Sequence, residues 1–256
     1  MTQKTHKHTY ALTLSYRGEG YCGFARQKND FTVQEDLENA LQTIFKTYVE
    51  TTCAGRTDSG VHARGQVISF SVEEQVKSPL SLQKSINGLV QGKMSVIDAQ
   101  EMPYKFSARF DAVSRVYKYY IASEVWPPVL AQDFSWHVPK NLDLDAMRAA
   151  ATHLIGEHDF KSFCLAISSR DITTKRNVSL IELKEVKIFE EPLLEITVEG
   201  NAFLHNMVRC IVGSLVEVGK GMHEPIWIKQ ALEARDRKAA GCTAPAKGLI
   251  FWEVKY

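Results

Sequence analysis

No run in this sequence approaches the ~20 consecutive apolar residues that a helix needs to cross a bilayer, so an integral helical membrane protein is excluded. The first residues, Met1-Thr2-Gln3-Lys4-Thr5-His6-Lys7-His8, are polar and lack the apolar centre of a secretion signal. Cysteine is scarce: Cys22, Cys53, Cys164, Cys210 and Cys242 are odd in number and far apart. That fits buried thiols in a reducing cytoplasm and not a disulfide framework. There is no C-x-x-C and no H-E-x-x-H, so a metal site has no support. Net charge is nearly absent too. Lys+Arg is 31 and Asp+Glu is 30, leaving +1, which argues against a uniformly basic protein that grips nucleic acid anywhere.

What is present is an ordinary globular composition, 45% hydrophobic and 24% charged over 256 residues. That length allows one large or two modest domains with a sizeable core. Tyr10 to Tyr16 alternates as a strand. Thr32-Val33-Gln34-Glu35 reads as a capping box, followed by a helical stripe of Val33, Leu37, Leu41, Ile44, Phe45 and Tyr48. Thr51 to Ala54 and Gln66 to Val72 read as strands, Ser78-Pro79 opens a helix that stops at Gly88, and Met94 to Gln100 is a strand. The second half repeats that order. Val113 to Ser123 is a strand and Leu142 to Ile155 a helix, with Asp143 and Asp145 in its first turn and Gly156 just past its end. Val178 to Phe189 and Leu193 to Glu199 form a hairpin around Glu190-Glu191-Pro192. Phe203, Met207, Ile211, Val212 and Leu215 stripe a helix, another starts at Pro225, and Leu249 to Tyr256 is the closing strand. Two successive β-α-β-β-α-β units predict an α+β fold of two ferredoxin-like, RRM-like halves, 1–105 and 106–256, divided near Pro103.

Four stretches carry candidate chemistry. Gly18-Glu19-Gly20-Tyr21-Cys22-Gly23 spells G-x-G-x-x-G after a strand. A dinucleotide site needs a helix opening at the third glycine, whereas the helix signal begins only at Thr32, so a Gly-rich surface loop is the better reading. Cys53 to Gly65 gathers Arg56, Asp58, His62 and Arg64 on one connection. Asp58-Ser59-Gly60 is good turn chemistry in itself. A carboxylate flanked by arginines stays ionised, however, and can act as nucleophile or base while the arginines hold phosphate. Phe106 to Tyr120 interleaves aromatics with cations, and Arg115, Tyr117 and Tyr119 share a strand face, either to stack a base or to pack a core. Arg209 sits among Met207, Val208, Ile211 and Val212 and calls for an anionic partner, with Asp58 the candidate. His62 and His205 read as hydrogen-bonded structural histidines.

Taken together, these stretches resemble the TruA family of tRNA pseudouridine synthases. The central motif is Ala54-Gly55-Arg56-Thr57-Asp58-Ser59-Gly60-Val61-His62-Ala63. Val33-Gln34, Gly65-Gln66-Val67, Phe106 to Tyr120, Asn201 to Gly213 and Ala244 to Leu249 match in order along nearly the whole chain. The resemblance implies isomerisation of uridine to pseudouridine in the anticodon stem-loop, at about positions 38 to 40 of tRNA, without cofactor or metal. By it, Asp58 is catalytic, Tyr117 stacks on the target base, Arg209 pairs with Asp58, and Arg56 helps hold the base flipped out. It further implies one extended, mostly antiparallel sheet with flanking helices and a central cleft, and a homodimer bridged by tRNA. The alternatives on the same residues are a non-catalytic RRM-like RNA-binding module and a nucleotide-dependent oxidoreductase using the Gly18 to Gly23 loop.

The sequence departs from the family pattern at Phe24-Ala25, where the family has Trp-Gln, at Val90-Gln91, at Ser107, and at Cys164, a position often arginine. These departures leave Asp58, Tyr117 and Arg209 untouched. Charge is also segregated along the chain. Lys105 to Lys118 carries four bases and one acid, and Glu182 to Glu199 carries six acids and two bases. The expectation is that the bases line an RNA-binding groove and the acids lie outside.

Overall fold

A computed structural model of the chain describes residues 8–90, 93–165 and 173–256. Most of the polar N-terminus and Gln91 of the Val90-Gln91 departure therefore lie outside the described residues. The fold is α+β, with mostly antiparallel strand pairing and five α-helices among the described residues. The chain forms two compact units, Met1–Val113 with Phe251–Tyr256, and Ser114–Ile250. The division thus falls after Val113, where the sequence suggests Lys105, and most of the last strand belongs to the first unit.

In the first unit the elements run β1 (His8–Tyr16), α1 (Val33–Phe45), β2 (Thr52–Cys53), β3 (His62–Val72), α2 (Pro79–Asn87) and β4 (Met94–Met102). β1 lies between β4 and β3, and β2 pairs with β3, all antiparallel. Alternation along β1 turns Tyr10, Leu12, Leu14 and Tyr16 inward. Val33, Leu37 and Leu41 of α1, Leu82 and Ile86 of α2, and Ile68 and Phe70 of β3 complete this unit's core. Each fully buried aliphatic side chain contributes about 1.5–3 kcal/mol.

The helix signals act through identifiable bonds. Thr32 Oγ1 accepts from Glu35 N at 3.3 Å, while the Glu35 carboxylate faces Arg26 at 3.5 Å. α2 carries a complete capping box between Ser78 and Ser81, with proline in its first turn. The α1 stripe predicts a helix reaching Tyr48. The helix instead ends at Phe45, because Lys46 turns left-handed at φ 55°, and Tyr48 is exposed. The buried Glu38 carboxylate organises the return to β2. It accepts from Arg26 Nε (3.0 Å), Gln34 Nε2 (3.0 Å), Thr51 N (3.1 Å) and Thr51 Oγ1 (2.9 Å).

The second unit contains β5 (Ser114–Ala122), β6 (Trp136–His137), α3 (Leu144–Thr152), β7 (Gly156–Asp159), β8 (Lys175–Ile188), β9 (Glu191–Gly200), α4 (Met207–Gly219) and α5 (Trp227–Ala234). Its strands lie in the order β5-β9-β8-β7, with β6 parallel to β5. β10 (Leu249–Lys255) starts in this unit and continues into the first, where Trp252 O meets Gly65 so closely that a Cβ would stand 2.3 Å away.

Several expectations shift in this unit. Asp143 is the N-cap of α3 and not part of its first turn, accepting from Ala146 N at 2.9 Å. Gly156, expected to end that helix, takes φ 103° and begins β7. The hairpin turns at Phe189 and Glu190, both left-handed, so Glu191 and Pro192 are already paired in β9. Phe203 precedes α4, which starts beyond the left-handed Asn206. The acids of Glu182 to Glu199 are not all on the outside. Glu195 is buried and accepts from Lys118 Nζ (3.0 Å) and Tyr120 Oη (2.8 Å).

Removing the Glu38 carboxylate strands several donors at once. Glu38→Ala should destabilise the protein by about 3 kcal/mol, read as a lower midpoint in thermal or urea unfolding.

Candidate active site

The connection from β2 to β3 is shorter than the sequence suggests. β3 begins at His62, so His62 and Arg64 lie on the strand, and Ala63 pairs with Tyr16 of β1. The pairing shifts register between Leu14 and Tyr16, where β3 carries one extra residue opposite Ser15. Arg56 and Asp58 remain on the loop, Arg56 exposed and Asp58 half-buried.

This short loop is held from several sides. Val61 N donates to Asp58 O at 3.1 Å, closing a turn, with Gly60 at φ 78°. Phe24 N donates to Thr57 O at 3.0 Å. The Tyr16 hydroxyl and Thr57 Oγ1 are hydrogen-bonded at 2.7 Å. Gln66 Nε2 donates to Gly55 O, and Ser59 Oγ donates to Tyr21 O at 3.2 Å. His62 is buried, and its Nδ1 accepts from Gly18 N at 3.2 Å.

The Gly18 to Gly23 loop packs against this one. A Cβ on Gly18 would lie 2.3 Å from Val61 O. Gly23 holds φ 93°, and a Cβ there would meet Thr57 O at 3.1 Å and Ser59 N at 3.4 Å. The glycines therefore allow this loop to lie directly on the backbone of the Asp58 loop. No helix opens at the third glycine, since α1 begins at Val33, so the helix N-terminus that a dinucleotide pyrophosphate requires is not there. The departure at Phe24 places a buried ring 6.4 Å from that of Tyr16. Neither Tyr16 nor Gln66 stands out in the sequence as a site residue; the only signal is Gln66 in the Gly65-Gln66-Val67 match.

Cys53 lies just ahead of the loop, at the end of β2. Burial pushes its thiol up to about 11, although the Arg56 and Arg109 guanidinium groups pull the other way.

Tyr117 and Arg209 belong to the second unit. Tyr117 pairs with Val198 across β9, is buried, and stands edge-on to Phe203 at 5.1 Å and 82°. Arg115 is buried beside it and donates to Asn201 O at 2.7 Å. The half-buried Arg209 is oriented by two short bonds, Nε to Ala244 O and Nη1 to Asn206 Oδ1, each 2.7 Å. Cys164, where the family pattern often has arginine, is buried, and its thiol is pushed up chiefly by that burial.

Comparison with known proteins agrees with these stretches. The family model for tRNA pseudouridine synthase matches residues 13–111 and 150–256. A tRNA pseudouridine synthase A of Bacillus pumilus (strain SAFR-032) is 42% identical over 252 residues, covering 95% of this chain and 97% of that protein. A protein of the same name from Francisella tularensis subsp. holarctica (strain OSU18) is 41% identical over 249 residues, covering 96% and 93%. A solved Cbf5-Nop10-Gar1 complex is similar only at a TM-score of 0.35 and 11% identity, over 91% of this chain and 60% of that one, too remote to inform the site.

The glycine contacts generate a direct expectation. Gly23→Ala forces a side chain into the left-handed region and against Thr57 O. Gly221 has φ 71° but open space around it. Gly221→Ala should lose about 1 kcal/mol in urea unfolding, the conformational cost alone, and Gly23→Ala at least twice that.

Proposed function

This chain belongs to the tRNA pseudouridine synthase family, and from that premise we propose that it acts on the anticodon stem-loop, at about positions 38 to 40, with Asp58 as the catalytic group. As a member of that family it is an isomerase that converts uridine in tRNA to pseudouridine. The N1–C1′ glycosidic bond breaks, the base turns, and a C5–C1′ bond forms. The C5 proton leaves and N1 gains one, so atoms and electrons balance without a co-substrate or electron carrier.

The observation that carries the assignment is the braced loop. Asp58 is half-buried, follows the buried Thr57, and sits beside the exposed Arg56. A carboxylate so placed is partly shielded from water yet reachable by a flipped base, and Arg56 supplies a cation at the opening. A base in a stem must leave its stack, at a cost of a few kcal/mol. Stacking on an aromatic side chain returns about 1–3 kcal/mol per base, and Tyr117 is assigned that role. Arg209, in the second unit, is assigned to substrate binding; its two 2.7 Å bonds, to Ala244 O and Asn206 Oδ1, orient the guanidinium.

Contacts to the RNA strand are assigned to the 104–110 segment. Lys105 Nζ lies 5.5 Å from the Tyr104 ring centroid and the Arg109 guanidinium 5.3 Å from that of Phe110, with both aromatics exposed. Exposed pairs of cation and ring suit a phosphate backbone with unstacked bases. The β-α-β-β-α-β order of the first unit, with β1 between β4 and β3 and β2 beyond β3, supports reading it as an RRM-like half. A homodimer working in the cytoplasm completes the proposal.

Carbodiimide-dependent reverse-transcription stops on unmodified tRNA test it. The wild-type chain should produce stops at the anticodon stem-loop uridines. Asp58→Asn should fold and bind tRNA with unchanged affinity and produce none. Pseudouridine made by Asp58→Asn would overturn the assignment, and wild-type stops confined to another arm would overturn the position.

A further inference from the structure

We propose that Tyr16, Thr57 and Gln66 form a buried hydrogen-bonded brace that positions Asp58 for reaction; the proposal rests on Asp58 being the catalytic carboxylate. Tyr16 is the last residue of β1 and Gln66 lies on β3, two paired strands of the first unit. All three are buried: Tyr16 is 4% exposed, Gln66 0% and Thr57 7%. Gln66 Nε2 holds Gly55 O, the Tyr16 hydroxyl holds the Thr57 side chain at 2.7 Å, and Phe24 N holds Thr57 O at 3.0 Å. Residues 55 to 57 are thus tied down at three points immediately before Asp58.

The brace is polar as well as buried. Burial pushes the Tyr16 phenol far up, against the hydrogen bonds of Thr57 and Gln66 that lower it, so the hydroxyl stays protonated throughout the working pH range. The brace therefore does not titrate with the reaction. Gln66 Oε1 is buried with no hydrogen-bond partner among the described residues. The side chain accepts that cost while its Nε2 bonds Gly55 O, so its polar group is committed to the loop backbone.

Each of the three acts through the backbone leading to Asp58, so each is a positioning residue. A small displacement of a reacting group costs turnover far more than substrate binding. Steady-state kinetics on an unmodified tRNA transcript should show Tyr16→Phe and Thr57→Val each lowering kcat on the order of 10–100-fold with KM within about twofold. The double variant should be no worse than either single one, because both remove the same bond. Thr57→Ser, which keeps the hydroxyl, should retain most of kcat. Hydrogen exchange of the amides at 55–61 in the full chain gives a readout that needs no reaction: Tyr16→Phe should speed exchange there and leave the α1 amides unchanged. Unchanged kcat, additive losses, an effect on KM alone, or unaltered exchange in the loop would each overturn the brace. An inactive wild-type protein would instead count against the proposed reaction, and the exchange result would still judge the brace.

Discussion

The structure of the first unit depends on how closely two loops approach each other. Backbone of the Gly18 to Gly23 loop lies against backbone of the Asp58 loop, at distances that exclude a Cβ on Gly18 and crowd one on Gly23. That contact permits the bonds from Phe24 N to Thr57 O and from Gly18 N to His62. It is accompanied by the buried Phe24 and Tyr16 rings, 6.4 Å apart. Held by these bonds, the loop presents the half-buried Asp58. Groups so held keep their geometry when a ligand arrives, and that preorganisation makes electrostatic and covalent assistance effective.

The chemistry suits a site of this kind. Isomerising uridine needs no imported electrons or atoms, so the demand falls on placement, the role proposed for Asp58, Arg56 and Tyr117. Charge is distributed accordingly. The near-zero total conceals exposed cation–aromatic pairs at Tyr104–Lys105 and Arg109–Phe110. Within the acid-rich stretch from Glu182 to Glu199, the buried Glu195 is taken up by Lys118 and Tyr120, and Glu191 accepts from the backbone N–H groups of Val129, Leu130 and Ala131.

Signals in the sequence are legible where their chemistry is local. Ser78-Pro79 and Thr32 declare helix starts, and alternation declares β1, because the bonds concerned lie within a few residues. Elements that depend on distant partners are not legible. β7 is four residues long and exists because β8 pairs with it, and β6 is two residues held by β5. The placement of His62 and Arg64 on β3 depends on pairing with β1, a partner that no property of Cys53 to Gly65 announces. Asp58 and Arg56 stand out through their motif. Tyr16 and Gln66 do not, because a buried hydroxyl beside a loop is visible only once β1 and β3 are side by side.

The central claim is that Asp58, held in this loop, drives exchange of the uridine C5 proton through formation of a C–C glycosidic bond. The most direct measurement is tritium release from a tRNA transcript labelled at uridine C5. Wild-type protein should release tritium to water in proportion to the target uridines, and Asp58→Ala, bound to the same tRNA, should release none. Release by Asp58→Ala at the wild-type rate, or no release by the wild-type protein, would contradict the account.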